Sequence, residues 1–532
     1  MGLVGESGSG KSVTSLAIMG LIPNPPGIVS SGEIYFEGEN LLNYSQSQLR
    51  DVRGNKISMI FQEPMTSLNP VFTVGNQIME SLTLHKGMSK AEAKQRTLEL
   101  MDEVGIPDPQ TRIDSYPHEL SGGQKQRIMI AMAIACEPDL LIADEPTTAL
   151  DVTIQKQVLE LMHSLQVKYQ MSMLFITHDL GVIADISDDV LVMFRGDLVE
   201  KGSTKDIFQK PNHPYTKGLI ACRPAIDTNP KRLATVSDFL DEQGNPKEPQ
   251  ISSVTIDEYK EAKNKEDSEV ILEIKNMKKH FPIKGGFLGR TKSWVKAVDD
   301  VSFKVRKGKT LGLVGESGCG KTTLGRSILR LIEPTAGEIF YKGKNITKAS
   351  PAEMRSLRKE IQIIFQDPYS SLNPRMSIGE IVTEPMKIHG IGGSKKERYD
   401  EAGRLLERVG LKKSHLHRHP HEFSGGQRQR ICIARALTLK PEFIICDESV
   451  SALDVSIQAS VLNLLLDLQE EYGLTYIFIS HDLSVVKYIS DEVGVMNQGK
   501  LVEYADFKTL YENPKEEYTR RLLGAIPKGI PK

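Results

Sequence analysis

Two glycine-rich loops of identical spacing mark where this sequence could do chemistry. Residues 5–12 and 315–322 both match G-x-x-x-x-G-K-[ST], each between an apolar run and a helical pattern. Glycines in such a loop let backbone N–H groups turn toward phosphate oxygens, and the following helix adds positive charge at its N-terminus. We expect Lys11 and Lys321 to reach the β- and γ-phosphates of a nucleotide, and the hydroxyl residue after each lysine to ligate Mg²⁺.

An Asp-Glu pair closes a short apolar run in each half of the chain, at Asp144-Glu145 and Asp447-Glu448. Such a run predicts a buried parallel strand with the acids at its carboxyl end. The aspartates are expected to hold Mg²⁺ and the glutamates to polarise an attacking water. The alternative is a pair of solvated loop acids, which the phosphate loop upstream in each half disfavours.

A Ser-Gly-Gly-Gln segment opens a predicted helix in each half, at 121–124 and 424–427. A serine and two glycines at a helix start can bind an anion. Each half already has its own phosphate loop, so this second site needs another nucleotide. We therefore predict a head-to-tail sandwich in which each loop faces the Ser-Gly-Gly-Gln segment of the other half. For one segment alone, a glycine-rich helix cap is the competing interpretation.

Two histidines and two aspartates complete the repeated pattern. His178 and His481 follow apolar runs at matching positions after the Asp-Glu pairs, which favours contact with the γ-phosphate and the attacking water. A lone histidine is more often a surface or core residue, but the repetition argues for a role. Asp151 and Asp454, each at the end of an Ala-Leu-Asp triplet, are expected to lie at the seam of the sandwich.

The elements that must position these residues belong to a duplicated domain, because all the motifs recur in the same order. A capping box opens an amphipathic helix in each half, at Ser89/Glu92 and Ser394/Glu397, which predicts a helical subdomain before each Ser-Gly-Gly-Gln segment. Helices that serve only the local core are an equally compatible interpretation. Pro, Asn, Asp, Glu and Lys enrich the stretch between the copies, which reads as a linker.

Composition narrows the class of protein. The 532 residues are 39% hydrophobic and 26% charged with a net charge of −2, an ordinary globular balance that lacks a nucleic-acid footprint. No apolar run approaches the ~18 residues of a membrane-spanning helix, and the N-terminal residues do not resemble a secretory signal. The five scattered cysteines indicate neither a zinc cage nor a disulfide framework.

The whole set resembles the ATP-binding cassette (ABC) ATPases, and the resemblance covers nearly the entire chain, twice. It implies an α/β fold with two tandem P-loop NTPase (ABC-type) nucleotide-binding domains, each with a helical subdomain. Gln62 and Gln366 are then the Q-loop glutamines, which contact Mg²⁺ and relay closure toward a membrane partner. The wording FQ-[ED]-P-x-[TS]-S-L-N-P and the later HPYTKGL at 213–219 look like oligopeptide/dipeptide importers, with both ATPase subunits fused.

Site residues follow from the motifs and the resemblance. Catalytic roles are expected for Glu145, Glu448, His178 and His481. ATP-binding residues in the loops are Gly5, Glu6, Ser7, Gly8, Ser9, Gly10, Lys11, Ser12, Gly315, Glu316, Ser317, Gly318, Cys319, Gly320, Lys321 and Thr322. ATP-binding residues in the signature segments are Ser121, Gly122, Gly123, Gln124, Ser424, Gly425, Gly426 and Gln427. The Mg²⁺ set is Ser12, Thr322, Gln62, Gln366, Asp144 and Asp447, and the D-loop aspartates are Asp151 and Asp454.

The two copies differ before their phosphate loops. We divide the chain into a first cassette at 1–223, a polar linker at 224–268 and a second cassette at 269–532. Residues 270–310 have no counterpart in the first copy, and by resemblance they include Phe281, which stacks on adenine. We expect the first copy to be N-terminally truncated, through a misassigned start or a fragment, and its nucleotide to bind more weakly. A genuine short form is the alternative.

The predicted function is the ATP-hydrolysing motor of an ABC importer for peptides. Relatives import dipeptides, oligopeptides, glutathione, nickel or peptide antibiotics. The resemblance implies two integral-membrane permease subunits, an extracytoplasmic solute-binding protein and a place at the cytoplasmic face of the bacterial plasma membrane. Cofactors are ATP and Mg²⁺. An iron–sulfur cluster is not expected, since Cys222 alone cannot supply four thiolates. The competing functions are a ribosomal tandem-cassette factor and a DNA-repair or chromosome-organising ATPase.

Overall fold

The computed structural model describes the chain except for residues 63–66, 149, 226–228, 242, 250–253, 265–267, 286–289, 452 and 527–532. The described residues form two compact units, Met1–Ile220 and Ala221–Ile526. Each unit is built on its own six-stranded sheet, and both sheets have a parallel core and one antiparallel strand at the edge. The two units are therefore duplicated α/β domains, as the repeated motifs predict.

The first unit is centred on a six-stranded sheet of order β4-β5-β6-β1-β7-β8, in which only β8 runs antiparallel to its neighbour. A separate pair, β2 and β3, forms a short antiparallel ribbon. The strands are β1 (Gly2–Val4), β2 (Tyr35–Phe36), β3 (Glu39–Asn40), β4 (Ile57–Ile60), β5 (Leu140–Asp144), β6 (Ser172–Ile176), β7 (Asp189–Phe194) and β8 (Asp197–Ser203).

Helices of the first unit connect these strands. They are α1 (Lys11–Ile18), α2 (Gln46–Val52), α3 (Val74–Lys86), α4 (Lys90–Glu103), α5 (Pro109–Arg112), α6 (Gly122–Ile134), α7 (Val152–Tyr169), α8 (Leu180–Ile186), α9 (Thr204–Gln209) and α10 (Pro214–Ala221), the last of which crosses the boundary between the units. Short 3₁₀ turns occupy Leu41–Asn43 and Pro117–Glu119.

The second unit repeats the central sheet as β14-β15-β16-β11-β17-β18 and adds a four-stranded antiparallel sheet, β10-β9-β12-β13. Its strands are β9 (Val270–Gly285), β10 (Arg290–Arg306), β11 (Thr310–Val314), β12 (Ala336–Tyr341), β13 (Lys344–Asn345), β14 (Ile361–Ile364), β15 (Phe443–Asp447), β16 (Thr475–Ile479), β17 (Glu492–Asn497) and β18 (Lys500–Asp506).

Helices of the second unit follow the same plan. They are α11 (Val236–Phe239), α12 (Ile256–Asn264), α13 (Lys321–Ile328), α14 (Pro351–Leu357), α15 (Pro368–Ser371), α16 (Ile378–Ile388), α17 (Lys395–Arg408), α18 (Gly425–Leu437), α19 (Val455–Tyr472), α20 (Leu483–Ile489), α21 (Phe507–Glu512) and α22 (Glu517–Gly524). Short 3₁₀ turns occupy Lys413–His417 and Pro420–Glu422.

Both helical subdomains form where the capping boxes predict them. Ser89 accepts the N–H of Glu92 while the Glu92 carboxylate accepts the N–H of Ser89, and the same reciprocal pair starts α17 at Ser394. In each unit this helix packs against the one before it and against the helix that follows the signature serine. The predicted fold class, two tandem α/β domains each with a helical subdomain, is confirmed.

The stretch predicted as a polar linker is partly folded, and it belongs to the second compact unit. We call its described residues between 229 and 264 the connecting segment. It closes on itself through a bridge between Pro230 and Thr255, and Leu233 and Ile256 within it are fully buried. A flexible linker would leave such side chains in water. The few apolar residues were therefore the signal that this polar stretch folds, and the overall composition obscured it.

The connecting segment is held on helices α19 and α20. Asn463 of α19 accepts the N–H of Leu233 at 3.0 Å and donates its amide to the Leu233 carbonyl at 2.8 Å. Tyr488 of α20 donates to the Lys231 carbonyl at 2.7 Å, and the Lys231 ammonium pairs with Glu470. Asn463 and Tyr488 correspond in the first copy to Glu160 and Asp185, whose carboxylates cannot donate these hydrogen bonds.

Among the residues that the structure describes, each helix is too short or too polar to pass through a bilayer.

Candidate nucleotide sites

Each phosphate loop lies between an inner strand of its central sheet and a helix, as its motif predicts. Strand β1 leads into the first loop and α1 follows it, whereas β11 and α13 flank the second. The Lys11 ammonium folds back onto the loop and donates to the carbonyls of Gly5 and Glu6 at 2.8 and 3.0 Å. Lys321 makes the equivalent bonds at 2.7 and 2.9 Å.

The glycine before each lysine is required by the backbone. Gly10 and Gly320 have φ values of +104° and +109°, in the region that side chains rarely adopt. A Cβ on Gly320 would also lie 2.0 Å from the Ala297 carbonyl oxygen, whereas at Gly10 the nearest atom is a methionine methyl group at 3.2 Å. The same loop is therefore enclosed more tightly in the second unit.

The loop hydroxyl groups meet the aspartates that end β5 and β15. Ser12 donates to Asp144 at 3.1 Å, and Thr322 donates to Asp447 at 2.9 Å. Burial raises the pKa of both aspartates. The second oxygen of Asp447 is buried and accepts no hydrogen bond. The Arg326 guanidinium lies 3.8 Å from that oxygen. A hydroxyl and a carboxylate are oxygen ligands that suit Mg²⁺.

Two predicted residues, Gln62 and His178, converge at Glu145. The Gln62 amide donates to one carboxylate oxygen at 2.9 Å, and His178 Nδ1 lies 3.1 Å from the other. Glu145 has a φ of +50°, and its backbone N–H donates to the Ile176 carbonyl of the neighbouring strand. Burial alone would raise the pKa of Glu145, but the hydrogen bond and charge of His178 outweigh it and lower the pKa to about 2.

Glu448 has the same backbone conformation as Glu145, but its histidine lies farther away. Its φ is +49°, the Gln366 amide donates to it at 2.7 Å, and His481 Nδ1 lies 3.7 Å from the same oxygen. Burial opposes ionisation here too, yet His481 and Gln366 lower the pKa of Glu448. Both glutamates are therefore held in the ionised form that accepts a proton from water.

Sequence reasoning missed one partner of Glu145. The Thr148 hydroxyl donates to its carboxylate at 2.9 Å, whereas Ser451, at the matching position, donates to the backbone carbonyl of Glu448. The two stretches, PTTALD and SVSALD, differ at several positions, and nothing in that difference indicates which hydroxyl reaches a carboxylate. The local backbone sets the direction of each hydroxyl, and only the three-dimensional structure shows it.

The signature serines cap their helices. Ser121 accepts the N–H of Gln124 at 3.3 Å and starts α6, and Ser424 accepts that of Gln427 at 3.4 Å and starts α18. A Cβ on Gly426 would lie 2.3 Å from the Ile457 side chain, so this glycine permits close packing against α19. Each signature segment thus presents a helix N-terminus, and the helix-cap interpretation and the anion-binding one describe the same geometry.

The remaining predicted residues lie at the edges of these centres. Asp151 is buried and caps α7 by accepting the N–H of Ile154, whereas the Asp454 side chain makes no such bond at the start of α19. Phe281 lies on β9, pairs in register with Val295, is 38% exposed and lies beneath the Lys279 ammonium. An exposed ring is available for stacking. The first unit contains no counterpart among its described residues.

A further contact reaches each phosphate loop from the far end of its cassette. The Tyr215 hydroxyl accepts the N–H of Glu6 at 2.9 Å, and the Tyr518 hydroxyl accepts that of Glu316 at 3.1 Å. Tyr215 belongs to HPYTKGL and Tyr518 to the weaker echo EEYTRRL. Sequence reasoning used these segments only as markers of a subfamily.

Comparison with known proteins agrees with this geometry. The family described as "ABC transporter" matches residues 1–148 and 298–451, and "Oligopeptide/dipeptide transporter, C-terminal region" matches 199–247 and 502–532. The glutathione import ATP-binding protein GsiA of Escherichia coli O6:H1 is 50% identical over 541 residues, covering 100% of this chain and 85% of its own length. GsiA of Shigella boydii serotype 4 is also 50% identical, with the same coverage.

One solved structure of similar sequence is a dimeric ATP-binding cassette in a post-hydrolysis state bound to ADP and Pi. It is 28% identical, with a TM-score of 0.40, and covers 44% of this chain and 98% of its own. The two relatives, which match the whole of this chain, and the family match together decide the assignment. The chain belongs to the ABC transporter family, as an ATPase coupled to transport whose two cassettes are each followed by the C-terminal region of the oligopeptide/dipeptide transporters.

Proposed function

We propose that this chain is the paired ATP-hydrolysing motor of a peptide-class importer, acting on separate permease subunits. The observation that carries the proposal is the repeated centre in which a buried, ionised glutamate meets a Q-loop glutamine and a histidine at the end of the parallel sheet. A binding module would not need two such carboxylates. Two hydrolytic centres in one chain suit a motor that works by pairing its cassettes.

In this proposal Glu145 and Glu448 accept the proton of the attacking water. Their lowered pKa values keep both carboxylates ionised at neutral pH. Each carboxylate can therefore accept the proton that the attacking water releases. His178 and His481 orient the carboxylates and the γ-phosphate, and Gln62 and Gln366 would contact Mg²⁺. Lys11 and Lys321 leave the loop carbonyls to bind phosphate oxygens. Mg²⁺, held through Ser12 and Asp144 or Thr322 and Asp447, would neutralise charge on the phosphates.

Sandwich closure is the step that converts this chemistry into movement. A phosphate loop binds one side of ATP, and the helix N-terminus at the signature segment of the opposite cassette supplies the other. Residues 5–12 would then share one nucleotide with Ser424–Gln427, and residues 315–322 would share the other with Ser121–Gln124. In that arrangement Asp151 and Asp454 would lie at the seam. Hydrolysis removes the shared phosphate and lets the cassettes separate.

The transported solute is assigned from the relatives. Those with the highest identity reported above are named for glutathione import, so glutathione, a short peptide, is the first solute to test. Dipeptides and oligopeptides are the next class, because the C-terminal region matches their transporters. Two permease subunits and a solute-binding protein complete the transporter. The chain acts at the cytoplasmic face of the plasma membrane.

Two measurements test the proposal. The tagged chain is purified from detergent-solubilised membranes, and we expect two membrane subunits to accompany it in stoichiometric amounts. Uptake of labelled glutathione is then compared in cells that carry the wild-type chain and in cells that carry Glu145→Gln with Glu448→Gln, and only the first should accumulate it. Recovery with ribosomes and no membrane subunit would contradict the motor function, whereas uptake of a dipeptide but not of glutathione would correct the solute alone.

A further inference from the structure

The tail of each cassette reaches back to its own phosphate loop, and nothing in the transport function requires this contact. Tyr215 lies in α10 and Tyr518 in α22, more than two hundred positions away from the loops they contact. Both rings are buried, and Tyr215 also stacks on Phe194 with ring centroids 4.3 Å apart. The contact is present in both cassettes, which argues against a coincidence of packing.

The same anchor presents each tyrosine. Glu200 on β8 accepts the backbone N–H groups of Asn212 and His213 at 2.7 and 3.1 Å, immediately before α10. In the second unit, Glu503 on β18 accepts those of Lys515 and Glu516 at 2.8 and 3.2 Å. The residues that surround the tyrosine differ between HPYT and EEYT, but the anchor and the hydroxyl are kept.

The contact falls on one of the two loop residues whose carbonyls lose the lysine when nucleotide binds. The Glu6 carbonyl accepts the Lys11 ammonium at 3.0 Å, while its N–H donates to Tyr215. Glu316 is held in the same way between Lys321 and Tyr518. Once the lysine turns to the phosphates, the tyrosine remains as the support of this residue. Its contribution therefore matters most in the nucleotide-bound loop.

We propose that Tyr215 and Tyr518 are positioning residues for ATP, through which the C-terminal region of each cassette keeps its own phosphate loop in the binding conformation. This rests on the proposed function of those loops. Loss of one hydroxyl should weaken ATP at the loop it supports by about two- to tenfold, the range expected for one net hydrogen bond. The tyrosines contact the loop backbone and not the reacting atoms, so turnover at saturating ATP should change less than affinity.

The test reads one loop at a time in the full-length chain. All chains carry Glu145→Gln and Glu448→Gln to stop turnover, and binding of radiolabelled ATP with Mg²⁺ is measured by equilibrium dialysis. With Lys321→Ala present, the first loop is read, and Tyr215→Phe should weaken it. With Lys11→Ala present, the second loop is read, and Tyr518→Phe should weaken it. The crossed combinations, Tyr215→Phe with Lys11→Ala and the converse, should leave the affinity unchanged.

A buried tyrosine elsewhere provides the matched control. Tyr476 is buried and donates to the Leu465 carbonyl at 3.0 Å, so Tyr476→Phe also costs one buried hydrogen bond. It should lower the melting temperature without changing the stabilisation that ATP adds. Tyr215→Phe and Tyr518→Phe should reduce that added stabilisation, which a purely structural hydroxyl would not do.

Unchanged ATP affinity in both tyrosine variants at their own loops would overturn the proposal. If a variant fails to fold, hydrogen exchange of the Glu6 and Glu316 amides in the wild-type chain decides instead. Slow exchange with ATP bound is expected, and fast exchange would contradict the support. A parent chain that binds no ATP at either loop refutes the proposed function itself, and the role of the tyrosines with it.

Discussion

The two cassettes have the same central strand order and the same pair of acids at the sheet edge, but different structure surrounds these features. The central strand order is the same in both, and each Asp-Glu pair ends the same strand. The second unit adds the antiparallel sheet that carries Phe281 and binds the connecting segment through α19 and α20. The first instead gives its glutamate an extra hydroxyl donor and a nearer histidine. Duplication has preserved the edge that does chemistry and let its supports diverge.

The largest expected difference concerns the connecting segment. Leu233 is 1% exposed, and Leu233→Ser should destabilise the second cassette by about 3 kcal/mol, because it leaves a cavity and buries a hydroxyl. Val254 of the same segment is 46% exposed, so Val254→Ser is the matched control. Hydrogen exchange of peptides from α19 and α20 measures the effect. If the two variants exchange alike, the segment is a linker that only lies against the second cassette.

The antiparallel sheet predicts a second difference, at equivalent glycines. Gly196 and Gly499 both have positive φ, +92° and +81°, so alanine strains both equally. A Cβ on Gly499 would lie 2.4 Å from the Lys296 carbonyl oxygen of β10, whereas one on Gly196 meets nothing within 4 Å. Gly499→Ala should therefore cost about 2 kcal/mol more than Gly196→Ala.

Calorimetric unfolding of each single variant, with the two transitions assigned by ATP, measures this difference. Equal shifts at the two glycines would show that β10 yields to a methyl group and does not confine the second phosphate loop.

Phe281 predicts an asymmetry in nucleotide affinity. Stacking of a base on an aromatic ring contributes roughly 1–3 kcal/mol, so Phe281→Ala should weaken ATP at the second loop by about five- to 150-fold. In a chain with Lys321→Ala, where only the first loop is read, the same substitution should have no effect. Nucleotide titration measures both, and loss of affinity at the first loop would contradict the assignment of Phe281 to the second.

The smallest effect is expected where the two glutamates differ. Thr148→Val removes a donor to the Glu145 carboxylate and should raise the pKa of that group, whereas Ser451→Ala removes a bond to a carbonyl and should leave the pKa of Glu448 unchanged. The acidic limb of the pH–rate profile should therefore move to higher pH for Thr148→Val, read in a Glu448→Gln background, and stay in place for Ser451→Ala, read in a Glu145→Gln background. A shift for Ser451→Ala without one for Thr148→Val would contradict this difference between the two glutamates.

The catalytic edge was predictable from the sequence because its geometry is local to strands. A short apolar run that ends in acids can only place them at the carboxyl edge of a parallel sheet, and a capping box fixes where a helix begins. Asp144, Glu145 and Ser89 lie where these rules predict. The same rules give the helical subdomains.

The supports were not predictable, because they depend on residues that meet only in three dimensions. Leu233 binds Asn463 from 230 positions away, in a stretch whose composition resembles a linker. Tyr215 meets the Glu6 amide across 209 positions. The direction of the Thr148 hydroxyl depends on a backbone at φ values that no spacing rule gives. Sequence periodicity reports which face is buried, but not what covers it.

Hydrolysis is expected to depend on Glu145 and Glu448. Steady-state ATP turnover of the full-length chain is compared with that of Glu145→Gln, Glu448→Gln and the double variant, alongside ATP binding to each. The double variant should retain ATP and lose turnover by about a thousandfold or more, since no general base remains. Turnover in the double variant equal to that of the wild-type chain would show that neither glutamate is the general base.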